Sequence, residues 1–152
     1  MTITIAIEPP RQPEILRLLA LSDSYAASLY PAESNHLVDI SSLERPSVRF
    51  LVARTNGAVA GCCALADAGD GTAEIKRLFV APAWRGLRIG KLLLAAIIDS
   101  ARQSNLEAIR LETGIHQPEA IGLYRAYGFT EIPPFGAYKP DPLSLFMEKR
   151  LS

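Results

Sequence analysis

Apolar and polar positions change period several times along this chain, and each change marks an element. Ile3, Ile5 and Ile7 alternate with Thr4 and Ala6, the two-residue period of a first strand. Ile15, Leu18, Leu19, Ser22, Ala26 and Leu29 then recur at helical spacing, Pro13 suits the first turn, and Pro31 ends the helix. The polar, punctuated stretch from Tyr30 to Leu43 predicts a loop or a broken helix. Val48, Phe50 and Val52 alternate up to Asn56-Gly57, a hairpin dipeptide, and Ala58 to Ala66 returns as the partner strand. Asp67 to Gly71 makes the next turn, and Ala73 to Val80 the next strand. Strict alternation fails there, because Ile75 is out of phase with Leu78 and Val80. A β-bulge near Lys76 or Arg77 would return all three to one face.

Pro82 ends that strand. Gly90 to Ser104 predicts a helix apolar almost all round (Leu92, Leu93, Leu94, Ile97, Ile98), packed between the sheet and other elements. Ala108 to Leu111 reads as a strand, Pro118 to Tyr127 as a short helix and Phe129 to Ile132 as a strand. Leu143 to Lys149 closes the chain after the Pro- and Gly-rich stretch Pro133 to Pro142. The order β-α-β-β-β-α-β-α-β-β implies an α/β (α+β mixed) fold, a mixed sheet with helices packed on it. With no repeat or linker visible, the 152 residues are expected to form one domain, 1–152.

Charge narrows the partners. Sixteen Lys and Arg balance sixteen Asp and Glu, so neither nucleic acid nor an anionic membrane is an expected partner. Met1 to Ile7 has no signal-peptide pattern, and the longest apolar run, Leu92 to Ile98, is too short to span a bilayer, so a cytoplasmic location is expected. Cys62 and Cys63 are neighbours in a strand and should face opposite ways, unbonded, as small hydrophobes of a reducing compartment. With no second cysteine pair, and His36 far from His116, no metal is expected.

The segment Val80-Ala-Pro-Ala-Trp-Arg-Gly-Leu-Arg-Ile-Gly-Lys91 lies between a strand and an apolar helix. Chemically it is an anion site. Glycines allow close backbone approach, free N–H groups open the helix, and Arg85, Arg88 and Lys91 add positive charge. A pyrophosphate is the natural guest, although the spacing is neither the P-loop nor the dinucleotide pattern. The bland alternative is a strand–turn–helix carrying solvated basic residues.

These residues resemble the GNAT superfamily of N-acetyltransferases. Its signature, Arg/Gln-x-x-Gly-x-Gly/Ala, reads here as Arg85-Gly86-Leu87-Arg88-Ile89-Gly90, with Arg88 where the first signature glycine is usual. A second block, Gln117-Pro-Glu-Ala-Ile-Gly-Leu-Tyr-Arg-Ala-Tyr-Gly-Phe129, matches the family's Asn-x-x-Ala-x-x-Leu-Tyr-x-x-x-Gly-Phe, with Gln117 for the usual Asn. The resemblance implies a largely antiparallel sheet of about seven strands, splayed after the fourth and flanked by about four helices. It implies that acetyl-coenzyme A is the acetyl donor. Its pyrophosphate would lie on the amides of Arg85, Gly86, Leu87, Arg88, Ile89, Gly90 and Lys91, and its pantetheine along Leu78, Phe79 and Val80 and near Gln117. Tyr124 stands at the family's general-acid position, and Tyr127 reads as packing. Glu74, six residues before Val80, stands where some members carry the base that deprotonates the amine; otherwise it is a strand carboxylate paired with Lys76.

Tyr30, Glu33, Asn35 and His36 fall where the family builds one wall of the acceptor site, though a capped polar turn would explain them equally. Pro133 to Pro142, with Phe135, Gly136 and Tyr138, is a lid near the acceptor or a simple connection. The resemblance points to direct acetyl transfer to a small-molecule amine or amino acid. A protein N-terminal or lysine acetyltransferase stays open, as does a non-catalytic coenzyme A-binding regulatory module. Dimers are common in the family, which leaves room for a homodimer.

Overall fold

The computed structural model describes residues 2–34 and 39–151. Its strands are β1 (Ile3–Ile7), β2 (Val48–Thr55), β3 (Ala58–Asp67), β4 (Thr72–Val80), β5 (Ala108–Gly114), β6 (Thr130–Ile132) and β7 (Ser144–Arg150). Its helices are α1 (Pro13–Leu29), α2 (Ile40–Leu43), α3 (Ile89–Gln103) and α4 (Pro118–Ala126). None of these helices is long and apolar enough to cross a membrane. Asn56 and Gly57 both take positive φ, 50° and 88°, so the β2–β3 turn has the twist that suits a two-residue hairpin.

One seven-stranded sheet runs in the order β1-β2-β3-β4-β5-β7-β6. Every pairing is antiparallel except β4 with β5, which α3 connects. The sheet separates two cores. On one face Ile89, Leu93, Leu94, Ile97 and Ile98 of α3 bury Leu51, Cys63, Ile75, Ile109 and Leu111. On the other, Ile15, Leu18 and Leu19 of α1 and Leu43 of α2 cover Phe50, Val52, Cys62 and Phe79. Cys62 and Cys63 thus serve opposite cores and stay unbonded. Burial pushes the Cys62 thiol up to about 12 and the Cys63 thiol well above its ordinary value, so neither is a nucleophile near neutrality. The expectation that α3 is enclosed all round fails at Leu92, which is 42% exposed. Among the described residues, no other element covers the outer face of α3 at that turn.

The break in alternation along β4 is a bulge. Cys62 opposes Phe79 while Ala64 opposes Lys76, so two residues of β4, Arg77 and Leu78, face the single Cys63. Arg77 takes the left-handed conformation there, with φ 59°. Ile75, Leu78 and Val80 consequently all reach the α3-side core, while the Arg77 side chain turns to α1 and pairs with Asp23.

β4 and β5 pair only from Thr72–Ala108 to Ile75–Leu111. Beyond that point they part, and β5 continues its pairing with β7 as far as Gly114–Ser144. Across the gap, Tyr30 at the end of α1 accepts a hydrogen bond on its hydroxyl from the His116 N–H (3.0 Å) and stacks on the His116 ring. The ring packs so tightly on Gly114 that a Cβ there would lie 1.8 Å from the hydroxyl oxygen. Gly114→Ala should therefore cost about 1–3 kcal/mol, as overpacking does, read as a lower urea midpoint. In a Tyr30→Ala background the same change should cost much less, because the clash is gone.

Candidate active site

Between the parting halves of β4 and β5 lies a cavity of about 680 Å³. It is walled by Ser22, Tyr25, Ala26, Tyr30 and Ser34 from α1 and the turn after it, by the start of α3 and by α4. Its middle is the β4 edge that has lost its β5 partner, where Leu78, Phe79 and Val80 line the wall. An extended amide-bearing chain could pair with that backbone as a strand would.

The α3 end is built from an unusual turn. Gly86 takes φ 84° and Arg88 φ 63°. Arg88 is the residue preceding α3, its side chain caps nothing, and the first intrahelical bond runs from the Leu92 N–H to the Arg88 carbonyl. The amides of Ile89, Gly90 and Lys91 therefore have no backbone partner among the described residues, and all three residues border the cavity. A Cβ on Gly90 would meet only Leu123 and Val80, at 3.7 and 3.8 Å, so no protein contact demands glycine there. Its bareness leaves the wall open to a ligand.

Of the basic residues, Arg88 and Lys91 have no ion-pair partner among the described residues. Arg85 lies over the Tyr25 and Phe79 rings, 5.6 Å from each centroid, with its Nε 3.3 Å from the Val80 carbonyl. Leu87 differs from its neighbours: it packs into the α3-side core and does not border the cavity.

Tyr124, on the buried face of α4, borders the cavity with only 6% exposure and packs edge-on against Phe129. Burial first, then the nearby Cys63 and Glu112, raises its hydroxyl above the ordinary tyrosine value, so it is a proton donor at any physiological pH. Tyr127, one turn on, packs against the α3-side core. Gln117 stands just before α4, and its amide nitrogen is 3.5 Å from the Tyr30 hydroxyl.

Glu74 borders the cavity from β4 with its side chain 17% exposed. Its Oε2 accepts a 2.5 Å hydrogen bond from the Tyr138 hydroxyl and lies 3.4 Å from Lys76 Nζ. Both contacts fall on Oε2, which leaves Oε1 without a partner among the described residues. Tyr138 comes from the 133–142 segment, folded over the sheet by the packing of Phe135 and Tyr138 on Phe146. Burial, then the bond to Glu74, then the charges of Glu74 and Glu112 hold the Tyr138 hydroxyl far above its usual value. The Pro- and Gly-rich stretch is thus more than a connection. Its Phe-Gly-x-Tyr spacing was the available signal, but nothing in the sequence pairs Tyr138 with Glu74.

Of the four residues expected at the acceptor wall, Tyr30 borders the cavity with its hydroxyl engaged as described. Glu33 is exposed and does not border the cavity, whereas its neighbour Ser34 does. Asn35 and His36 lie outside the described residues.

Residues 15–129 match the model of the acetyltransferase (GNAT) family. An IAA acetyltransferase of Azospirillum brasilense is 53% identical over 150 residues, covering 98% of each chain. A solved protein from Klebsiella pneumoniae subsp. pneumoniae MGH 78578 superposes with a TM-score of 0.87 at 38% identity, over 99% of this chain and 98% of that one. The PaiA N-acetyltransferase from Thermoplasma acidophilum, solved with coenzyme A, shares the fold with a TM-score of 0.77 at 20% identity, over 99% of both chains.

Arg88 carries a side chain in a backbone conformation that costs an L-residue about 1–2 kcal/mol. Arg88→Gly should relieve most of that strain, against the greater chain entropy of glycine. The net gain should raise Tm by a few degrees, about 2–4 °C per kcal/mol for a chain of this size, in a differential scanning measurement without ligand.

Proposed function

This chain is an N-acetyltransferase of the GNAT family, and on that premise we propose that it takes acetyl from acetyl-coenzyme A and passes it directly to a small amine. The observation that carries the reading is the gap between β4 and β5. It opens at one end on the uncapped amides of α3, beside Arg88 and Lys91, and it is bordered further along by Glu74 and Tyr124. The fit to the donor is good at each point. Helix-terminal amides and adjacent cations suit a pyrophosphate. The unpaired β4 edge at Leu78 to Val80 suits the amide-bearing pantetheine arm, and the Gln117 amide stands close by.

Bound there, acetyl-coenzyme A supplies an activated thioester carbonyl. The chain's own residues do the rest. An amine attacks only when neutral, and Glu74, through its free Oε1, takes the ammonium proton directly or through one water. As the new C–N bond forms and the C–S bond breaks, Tyr124 gives its hydroxyl proton to the departing sulfur, and the second proton lost by the nitrogen as the amide forms returns to the phenolate through water. No acyl-enzyme step is needed. The two cysteines are buried with raised thiols, and among the described residues no serine–histidine–carboxylate arrangement lines the cavity.

The test is thiol release from acetyl-coenzyme A across small amines, free amino acids and peptides with a free N-terminus. Turnover with a small amine supports the reading. Acetyl-coenzyme A binding with no thiol release for any acceptor would return the chain to a non-catalytic binding module. Tyr124→Phe keeps the ring and should lose most of the ~10²–10⁴-fold that general acid help supplies, measured as kcat, whereas Tyr127→Phe should leave turnover nearly intact. Glu74→Gln should lower kcat with acetyl-coenzyme A affinity, measured by calorimetry, hardly changed. Near-normal turnover and an unaltered pH profile would remove Glu74 from the base role.

A further inference from the structure

Behind Glu74 lies a second cavity of about 490 Å³, on the sheet face covered by residues 133–142. Glu74, Lys76 and Tyr138 border both cavities, so the Glu74 carboxylate stands where the two meet. The second cavity is also lined by Arg110, with the Phe135 ring beside it.

Arg110 is the register partner of Glu74 across the short parallel ladder, and it is two-thirds or more buried, with 28% of its side chain exposed. Its Nε donates to Glu148 Oε2 at 2.8 Å, which sets the plane of the guanidinium, and the Phe135 ring lies 5.8 Å from its central carbon. Both terminal nitrogens are left without a partner among the described residues. Asp70, the other acid of this cavity, is hydrogen-bonded by the Thr72 N–H and hydroxyl at 3.0 and 2.6 Å and feels the Arg110 charge without a hydrogen bond to it. A planar fork held at one edge, open at the other and partly desolvated is the arrangement that grips a carboxylate.

We propose that the acceptor is a free α-amino acid with an apolar or aromatic side chain, and that Arg110 reads its α-carboxylate. This rests on the acetyl-transfer reading above. As register partners on neighbouring strands, whose backbones lie about 4.8 Å apart, Glu74 and Arg110 present their side chains on one face of the sheet, and the proposed amino acid places its ammonium at Glu74 and its carboxylate at Arg110. The side chain then lies along the rings of Phe135 and Tyr138. Arg110 is a specificity-determining residue in this arrangement and takes no part in the proton transfers.

L-phenylalanine and phenethylamine differ only in the carboxylate and serve as probes. With coenzyme A present, the wild type should bind L-phenylalanine about tenfold or more tightly than phenethylamine by calorimetry, as charge-assisted bonds allow. The same ratio should appear in kcat/KM with acetyl-coenzyme A, carried mainly by KM. Arg110→Gln should collapse the ratio, and Arg110→Lys, which keeps the charge without the fork, should leave an intermediate one. Coenzyme A affinity, measured separately, reports whether the variants and the donor site are intact. A wild type that binds neither probe, or prefers phenethylamine, overturns the proposal; so does a ratio unmoved in a folded Arg110 variant. Failure to bind coenzyme A at all would instead strike the acetyl-transfer reading itself.

Discussion

Two strands in the middle of a sheet normally share hydrogen bonds along their whole length, because an unpaired peptide group inside a protein is costly. β4 and β5 share theirs for only four residues, from Thr72–Ala108 to Ile75–Leu111. Each strand compensates on its other side: β5 runs on with β7 to Gly114, and β4 holds β3 through a bulge at Arg77 and Leu78. What remains is a stretch of β4 backbone facing an open cleft. The helix that follows begins at the mouth of that cleft, and the short helix carrying Tyr124 closes its side. Without the parting of these two strands there would be no cavity for those elements to border.

Keeping the cleft open requires support from outside the sheet. Tyr30 provides it, wedged on Gly114 and bonded to the His116 N–H, so that the end of α1 and the end of β5 are held at a fixed separation. The segment 133–142 provides more, through the Phe135 and Tyr138 rings, which meet Phe146 of β7 edge-on or tilted, and the Tyr138 bond to Glu74. Around this frame the backbone is strained where it touches the cleft. Arg77 and Arg88 are both left-handed, conformations that persist only where the surroundings enforce them and that gather at functional sites. The amides and charges at the α3 end and the raised phenol of Tyr124 belong to one region, and each is set by its position relative to the gap.

Much of this was readable along the chain. The elements follow from period and punctuation: Ile3 to Ile7, the Asn56-Gly57 turn and the Pro31 and Pro82 stops all lie where the expected boundaries fall. The bulge was legible because Ile75, Leu78 and Val80 could share a face only with one residue inserted between them. The loop before α3 was legible as an anion-type turn because phosphate chemistry needs glycine, free amides and cations in consecutive positions. Local rules determine such features, and local rules survive in a single sequence.

Contacts between distant residues decided the rest. Arg88 in place of a glycine left the turn undetermined, and only the folded backbone showed that arginine itself takes the left-handed conformation. Leu87 was expected to act through its backbone amide, and the fold sends its side chain into the core beneath α3. Leu92 looked buried by composition and is exposed because, among the described residues, no element reaches that side of α3. Tyr138 meets Glu74 across 64 positions of sequence, and Arg110 comes beside Glu74 only because the α3 crossover lays β5 parallel to β4. Helix spacing, turn chemistry and loop composition act over a few residues, so the sequence by itself determined the elements and the glycine- and cation-bearing turn before α3. Which side chains share a cavity depends on how strands pair and where they part, and that is settled only when the whole sheet closes around its two cores.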